Sequence, residues 1–224
     1  MHGLAFDVSH LLAGSLVLIS LMLLYQDRLY SLLRVFALHA ITLSLAVAWQ
    51  ATIQHAPHLY VTALIALLFK GILIPFALHR IVERLGIGRT IETVVGIGPT
   101  MLLGISLVAL SILVMLPVTE QADALTQEDL AFALSVVLLG LLMMVTRRNA
   151  VGQVVGFMSL ENGLMLAAAG AKGMPLVVEI SIAFSLLIAL IVIGVFLLRI
   201  RDRFDTVDIH VLDRSRGEQP GDAS

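Results

Sequence analysis

The sequence predicts an all-α, polytopic membrane protein of about seven transmembrane helices, and three observations predict it. Charged residues make up 13% of the 224-residue chain and apolar residues 59%, where soluble domains carry roughly 25% charged residues. The mean hydropathy is +1.00. The apolar residues are gathered into runs of about 20, the length that crosses a hydrocarbon core of about 30 Å at about 1.5 Å per residue.

Taken in order, the expected spans are residues 4–25, 29–53, 59–79, 97–116, 130–146, 150–170 and 176–198. The segment Thr93-Val94-Val95-Gly96 reads equally as helix or loop. Pro99 suits the first turn of the fourth helix, where a missing N–H costs nothing, and Pro117 is placed to end it. Pro57 and Pro175 precede spans. Pro75 falls inside the third span and should kink it. The sixth span carries Gly152, Gly156, Gly163 and Gly170 together with Ala167–Ala169. Its GQVVG stretch has the small-xxx-small spacing that lets helices approach closely.

Orientation follows from the basic residues. Arg28 and Arg34 flank the first connection; Arg80, Arg84 and Arg89 lie in the third; Arg147 and Arg148 lie in the fifth; Arg199, Arg201, Arg203, Arg214 and Arg216 follow the last span. The alternate connections hold only Lys172, and the loop 118–129 is acidic, with Glu120, Asp123, Glu128 and Asp129. The positive-inside rule then sets the N-terminus outside and the C-terminus in the cytoplasm. The beginning of the chain lacks a basic leader and a small-residue cleavage site, so the first apolar run is expected to stay in the mature protein.

Three ionisable residues fall near the middle of spans: His39 in the second, Lys70 in the third and Glu161 in the sixth. Glu179 lies on the last span, nearer its outer end. A charge at mid-bilayer costs at least about 2.5–3.5 kcal/mol, so such residues face protein or water and often handle protons or ions. The same residues also suit a buried ion pair that only aligns helices. Ser159 and Asn162 beside Glu161 can orient its carboxylate or bond a neighbouring helix. No P-loop, strand-linked GxGxxG or HExxH is present. His55 and His58 in HAPH offer two ligands, which do not make a metal site. The chain has no cysteine, which excludes disulfides, cysteine-ligated iron–sulfur clusters and thiol chemistry within it. No cofactor, no nucleic-acid partner and no active site of its own are expected.

The stretches RRNAVGQVVGFMSLENG, VVEISIAFSLLIALIVIGVFLLRIRDRF and DTVDIHVLD, with FKGILIP around Lys70 and Pro75, resemble the hydrogenase-4 component E family. That family supplies membrane-arm subunits of formate hydrogenlyase and related nickel–iron hydrogenase complexes. The last three spans also resemble the small 4L/K-type subunit of complex I and the C subunit of Mrp-type antiporters. In the 4L/K type a middle-helix Glu belongs to the proton pathway, and Glu161 matches it. A second acidic residue is expected on the last helix, where this chain has Ser185; Glu179 is the acidic residue there that could substitute.

The resemblance implies an N-terminal helix group over residues 1–128, a 4L/K-like three-helix group over 129–203 and a cytoplasmic tail over 204–224. It implies a multi-pass subunit of the bacterial cytoplasmic membrane that contacts antiporter-like membrane subunits and helps to move protons or cations, coupled to electron transfer in other chains. The expected pathway residues are Glu161, Lys70, His39 and Glu179. A structural scaffold subunit, or a subunit of an Mrp-like antiporter or ion-uptake complex without redox partners, are the alternatives.

Overall fold

The computed structural model describes residues 2–85, 94–118 and 124–170, with Leu187, Ile191 and Gly194. The described elements are helices: α1 (His2–Tyr25), α2 (Leu29–Gln54), α3 (Pro57–Ala66), a π-helical stretch (Leu67–Leu73), α4 (Ile74–Leu85), α5 (Ile97–Val118), α6 (Ala124–Thr146) and α7 (Ala150–Gly170). Among the described residues 6 helices are long and apolar enough to cross a membrane, α3, the π stretch and most of α4 forming one of them as Pro57–Glu83. The expected seventh span, 176–198, lies outside the described residues except for Leu187, Ile191 and Gly194.

Local chemistry accounts for the breaks. His55 ends α2 in the left-handed conformation at φ 51°, its N–H bonded to the Ala51 carbonyl. Pro57 then opens α3, where its ring costs no hydrogen bond. Arg147 and Arg148 precede Asn149, whose Oδ1 accepts the Gly152 N–H at 2.5 Å and so caps α7. Residues 94–96 are not helical; the Val94 N–H bonds the Thr146 carbonyl at 2.9 Å and ties this segment to the end of α6. Pro117 lies in the last turn of α5, which ends one residue later at Val118.

The kink expected at Pro75 takes the form of the π stretch directly before it. Proline has no N–H for the carbonyl four residues earlier. The Ile74 N–H reaches back five residues to the Phe69 carbonyl, the widened bonding of a π-helix.

Asp129 corrects the sequence reading. It was read as the end of the acidic loop 118–129, but α6 starts at Ala124 and Asp129 is buried. The reason is a hydrogen bond that a linear reading does not reveal: Gln50 of α2 donates Nε2–H to Asp129 Oδ2 at 2.8 Å.

Helices α6 and α7 make the closest pair, with α1 and α5 against α6, and α2 against α1, α3 and α7. Leu16, Phe36, Leu43, Val136, Leu139, Val155 and Met158 are buried between them. Leu18, Leu45, Leu102, Leu113 and Val145 point outward, as suits helices whose outer surface meets hydrocarbon. Glycine makes the α6–α7 approach possible. A Cβ on Gly140 would stand 2.5 Å from the Leu160 nitrogen, one on Gly156 2.9 Å from the Met144 nitrogen, and one on Gly163 2.8 Å from the Val137 nitrogen. These are backbone atoms, which cannot turn aside as a side chain can.

Gly140→Ala and Gly163→Ala are therefore expected to destabilise the fold by about 1–3 kcal/mol each, the usual cost of overpacking. Gly98→Ala, where a Cβ meets nothing within 4 Å, should be neutral or slightly stabilising. Thermal unfolding of the three variants in one detergent checks the contrast; equal effects would contradict it.

Candidate functional site

Lys70, the residue at the centre of the π stretch, is fully buried together with Gly71. Its neighbours Leu68, Ile72 and Leu73 are exposed, so the widened turn presents the ammonium to protein and its apolar flanks to the outside. Across from it stands α7, where Glu161 and Asn162 follow one another and are both buried.

Lys70 Nζ lies 3.1 Å from Glu161 Oε1 and donates to Asn162 Oδ1 at 2.9 Å. Asn162 Nδ2 lies 2.9 Å from His39 Nδ1 on α2. His39 Nε2 lies 2.9 Å from Ser20 Oγ on α1, and Ser20 donates to the Leu16 carbonyl at 2.8 Å. A hydrogen-bonded chain thus crosses the helix bundle sideways, from the π stretch through α7 and α2 to α1.

Donor chemistry fixes every polarity in that chain. An ammonium has donors only, so the amide oxygen of Asn162 must face Lys70. The amide N–H then faces His39, whose Nδ1 accepts and whose proton sits on Nε2. Ser20 has given its one proton to Leu16, so its oxygen accepts from Nε2. The ring is therefore neutral. An amide does not take up a proton in this setting, so Asn162 transmits orientation between Lys70 and His39 without carrying a proton between them.

The structure brings together Glu161, Lys70 and His39 of the residues the sequence singled out. Glu179 and Ser185 lie outside the described residues. Four further polar residues were not singled out as site residues. Ser20 is one hydroxyl in an apolar helix and leaves no pattern. Asp129 and Gln50 form a second buried polar contact near one end of the bundle, extended by Gln54, whose Nε2 donates to Gln50 Oε1 at 3.3 Å and to the Ala169 carbonyl at 2.6 Å. A Gln50-x-x-x-Gln54 spacing puts both amides on one face of α2, which was the available signal.

Arg147, read from sequence as one of two basic residues of the fifth connection, is 2% exposed. Its Nη2 donates to the carbonyls of Leu23 at 3.0 Å and Leu24 at 2.8 Å, the last-turn acceptors that a helix C-terminus leaves open. Burial lowers its pKa from the ordinary guanidinium value and the Asp27 carboxylate opposes that shift. Among the described residues no cluster of three or more His, Cys, Asp or Glu is placed to hold a metal ion.

The chain is similar to the uncharacterized protein Rv0085 of Mycobacterium tuberculosis, with 28% identity over 206 residues that cover 91% of this chain and 94% of that protein. No family model matches the chain, and no solved structure matches it.

The ion pair has an energetic signature. Lys70→Met strands a buried carboxylate and Glu161→Gln strands a buried ammonium, and each is expected to cost about 3–5 kcal/mol. The double variant should cost less than either single one, because it leaves no uncompensated charge. Denaturant titration in detergent reads the cycle; additive losses would show that the two residues are not coupled.

Proposed function

We propose that this protein is a membrane subunit of a complex-I-like assembly of the hydrogenase-4 type, in which Glu161 and Lys70 take part in moving protons or cations while other chains carry the electrons. The observation that carries this reading is the Lys70–Glu161 pair at 3.1 Å, held on two membrane-length helices. Ionisable residues at that depth are costly and are retained mainly along proton or ion paths. The π-helical setting of Lys70 supports the same reading, because such widened turns concentrate at functional positions. The basic residues of alternate connections support an outside N-terminus and a cytoplasmic C-terminus. Its partners in this reading are antiporter-like membrane subunits, and it lies in the bacterial cytoplasmic membrane.

The scaffold reading has one observation in its favour: Asn162 stands between Lys70 and His39, so the sideways chain is not a continuous proton wire. The two readings separate at Glu161. Gln keeps the shape and part of the hydrogen bonding of Glu but cannot release a proton.

The intact native complex is purified through a tag on this chain and sealed into vesicles, and proton uptake per electron pair is measured. Glu161→Gln in an assembled complex is expected to abolish uptake, and Glu161→Asp to retain part of it. Full uptake by the assembled Gln variant would leave the scaffold reading standing.

A further inference from the structure

We infer that Arg34 of α2 and Arg80 of α4 together hold the phosphate of an anionic phospholipid, whose acyl chains lie along the apolar stripe that continues from each arginine. This site is separate from the Lys70–Glu161 pair and does not depend on the function proposed above.

Two contacts fix how the helices run past each other here. Tyr30 meets the His79 ring edge-on, with 4.9 Å between centroids. A Cβ on Gly71 would stand 3.7 Å from Ile41 Cγ1. The seam is therefore antiparallel, with Tyr30 level with His79 and Ile41 level with Gly71. Arg34 is about a third of the way from Tyr30 to Ile41, and Phe76 is about a third of the way from His79 to Gly71, so the even rise of the helices puts them level. The guanidinium carbon of Arg80 lies 5.3 Å from the centre of the Phe76 ring. Arg34 and the head of Arg80 thus belong to one level of one seam.

Exposure marks this level as a boundary. On α2, Arg34, Leu38, Ile41 and Leu45 follow helical spacing along one face, and all four are exposed. Across the seam Ile72, Phe76 and Arg80 are exposed. Each stripe changes from apolar residues in mid-span to arginine. Tyr30, a residue type concentrated where membrane meets water, lies one turn beyond Arg34.

An arginine at such a boundary ordinarily extends its head into water. Arg80 does the opposite. Its side chain leans toward the helix N-terminus, as helical side chains do, and lies over Phe76, one turn nearer mid-span. Neither Arg34 nor Arg80 forms an ion pair among the described residues. Glu83, the acidic residue of α4, is 3.4 Å from His79 Nε2 instead. Two guanidiniums without a carboxylate, each heading an apolar stripe, call for an anion that arrives from the lipid side. The guanidinium fork matches phosphate oxygens, and basic pockets between spans take up anionic headgroups. The stripes select a phospholipid over a free phosphate ion, which has nothing to lay along Leu38 or Ile72.

The test is native mass spectrometry of the full chain in detergent, titrated with phosphatidylglycerol, with phosphatidylcholine of the same acyl chains, and with inorganic phosphate. Phosphatidylglycerol is expected to bind in preference to phosphatidylcholine, and inorganic phosphate should not displace it. Arg34→Gln and Arg80→Gln should each weaken phosphatidylglycerol binding about fivefold, and the double variant about thirtyfold, at the usual worth of a basic residue near an anionic surface. Arg148→Gln, at an exposed arginine on the link between α6 and α7, should leave binding unchanged. Arg34→Lys and Arg80→Lys, which keep the charge and lose the fork, stand in for a Gln variant that unfolds and should still weaken binding. Equal binding of the two lipids overturns the inference. So does a double variant that binds phosphatidylglycerol like the wild type, or a loss in Arg148→Gln as large as in the double variant. Displacement by inorganic phosphate would assign the site to a free anion, and cover of Arg34 and Arg80 by another chain in the native complex, with no lipid bound, would assign it to a protein partner; either result overturns the lipid site.

Discussion

A charged pair in the middle of a membrane-length bundle is the constraint from which the rest of this structure follows. An ammonium and a carboxylate removed from water each lose several kcal/mol of hydration, and only close contact with further hydrogen bonds offsets the loss. Lys70 and Glu161 must therefore meet, inside protein, at 3.1 Å. That requirement draws α7 against both the π stretch and α2. It also gives Pro75 a role beyond ending a hydrogen-bond ladder: the widened turn it accompanies faces Lys70 inward. The α6–α7 contact depends on glycine: Gly140, Gly156 and Gly163 bring backbone to within reach of backbone.

The polar interior is arranged in layers along the helices. At one end Asp129, Gln50 and Gln54 join α6, α2 and the last turn of α7. At the centre the Glu161–Lys70–Asn162–His39–Ser20 chain joins the π stretch, α7, α2 and α1. At the opposite end Arg147 closes the carbonyl end of α1. Apolar side chains such as Leu43, Val47, Met165 and Leu166 fill the space between layers. Each layer satisfies groups that hydrocarbon could not; the first two lock three or four helices in register, and the third ties the α6–α7 link to α1. Such fixed registers hold the ionisable groups at set depths.

The span positions were legible in the sequence because apolar run length is a direct consequence of bilayer thickness. Five of the spans match helices closely, and α7 matches end to end. The mid-span positions of His39, Lys70 and Glu161 were legible for the same reason, since depth follows from rise per residue. Their connection was not. Helical spacing tells which depth a residue occupies but not which way it faces in a helix that is apolar on every side, so the order Lys70–Asn162–His39 emerged only with the fold. Asp129 was misread because a carboxylate at the edge of a polar loop looks solvated until its Gln50 partner, 79 residues away in sequence, is found beside it. Ser20 left no trace, because a serine that bonds its own helix carbonyl is common in apolar helices.

The contact of Lys70 and Glu161 as ions underlies the whole polar interior. The decisive measurement is a nitrogen–carbon dipolar distance by solid-state NMR on the protein in lipid, with ¹⁵Nζ-lysine and ¹³Cδ-glutamate labels and Lys172→Arg so that Lys70 alone reports. Expected are an ammonium shift, a carboxylate shift and a strong dipolar contact between them that vanishes in Glu161→Gln. A Lys70 nitrogen with no glutamate carbon in contact range, in a folded sample, would contradict the contact.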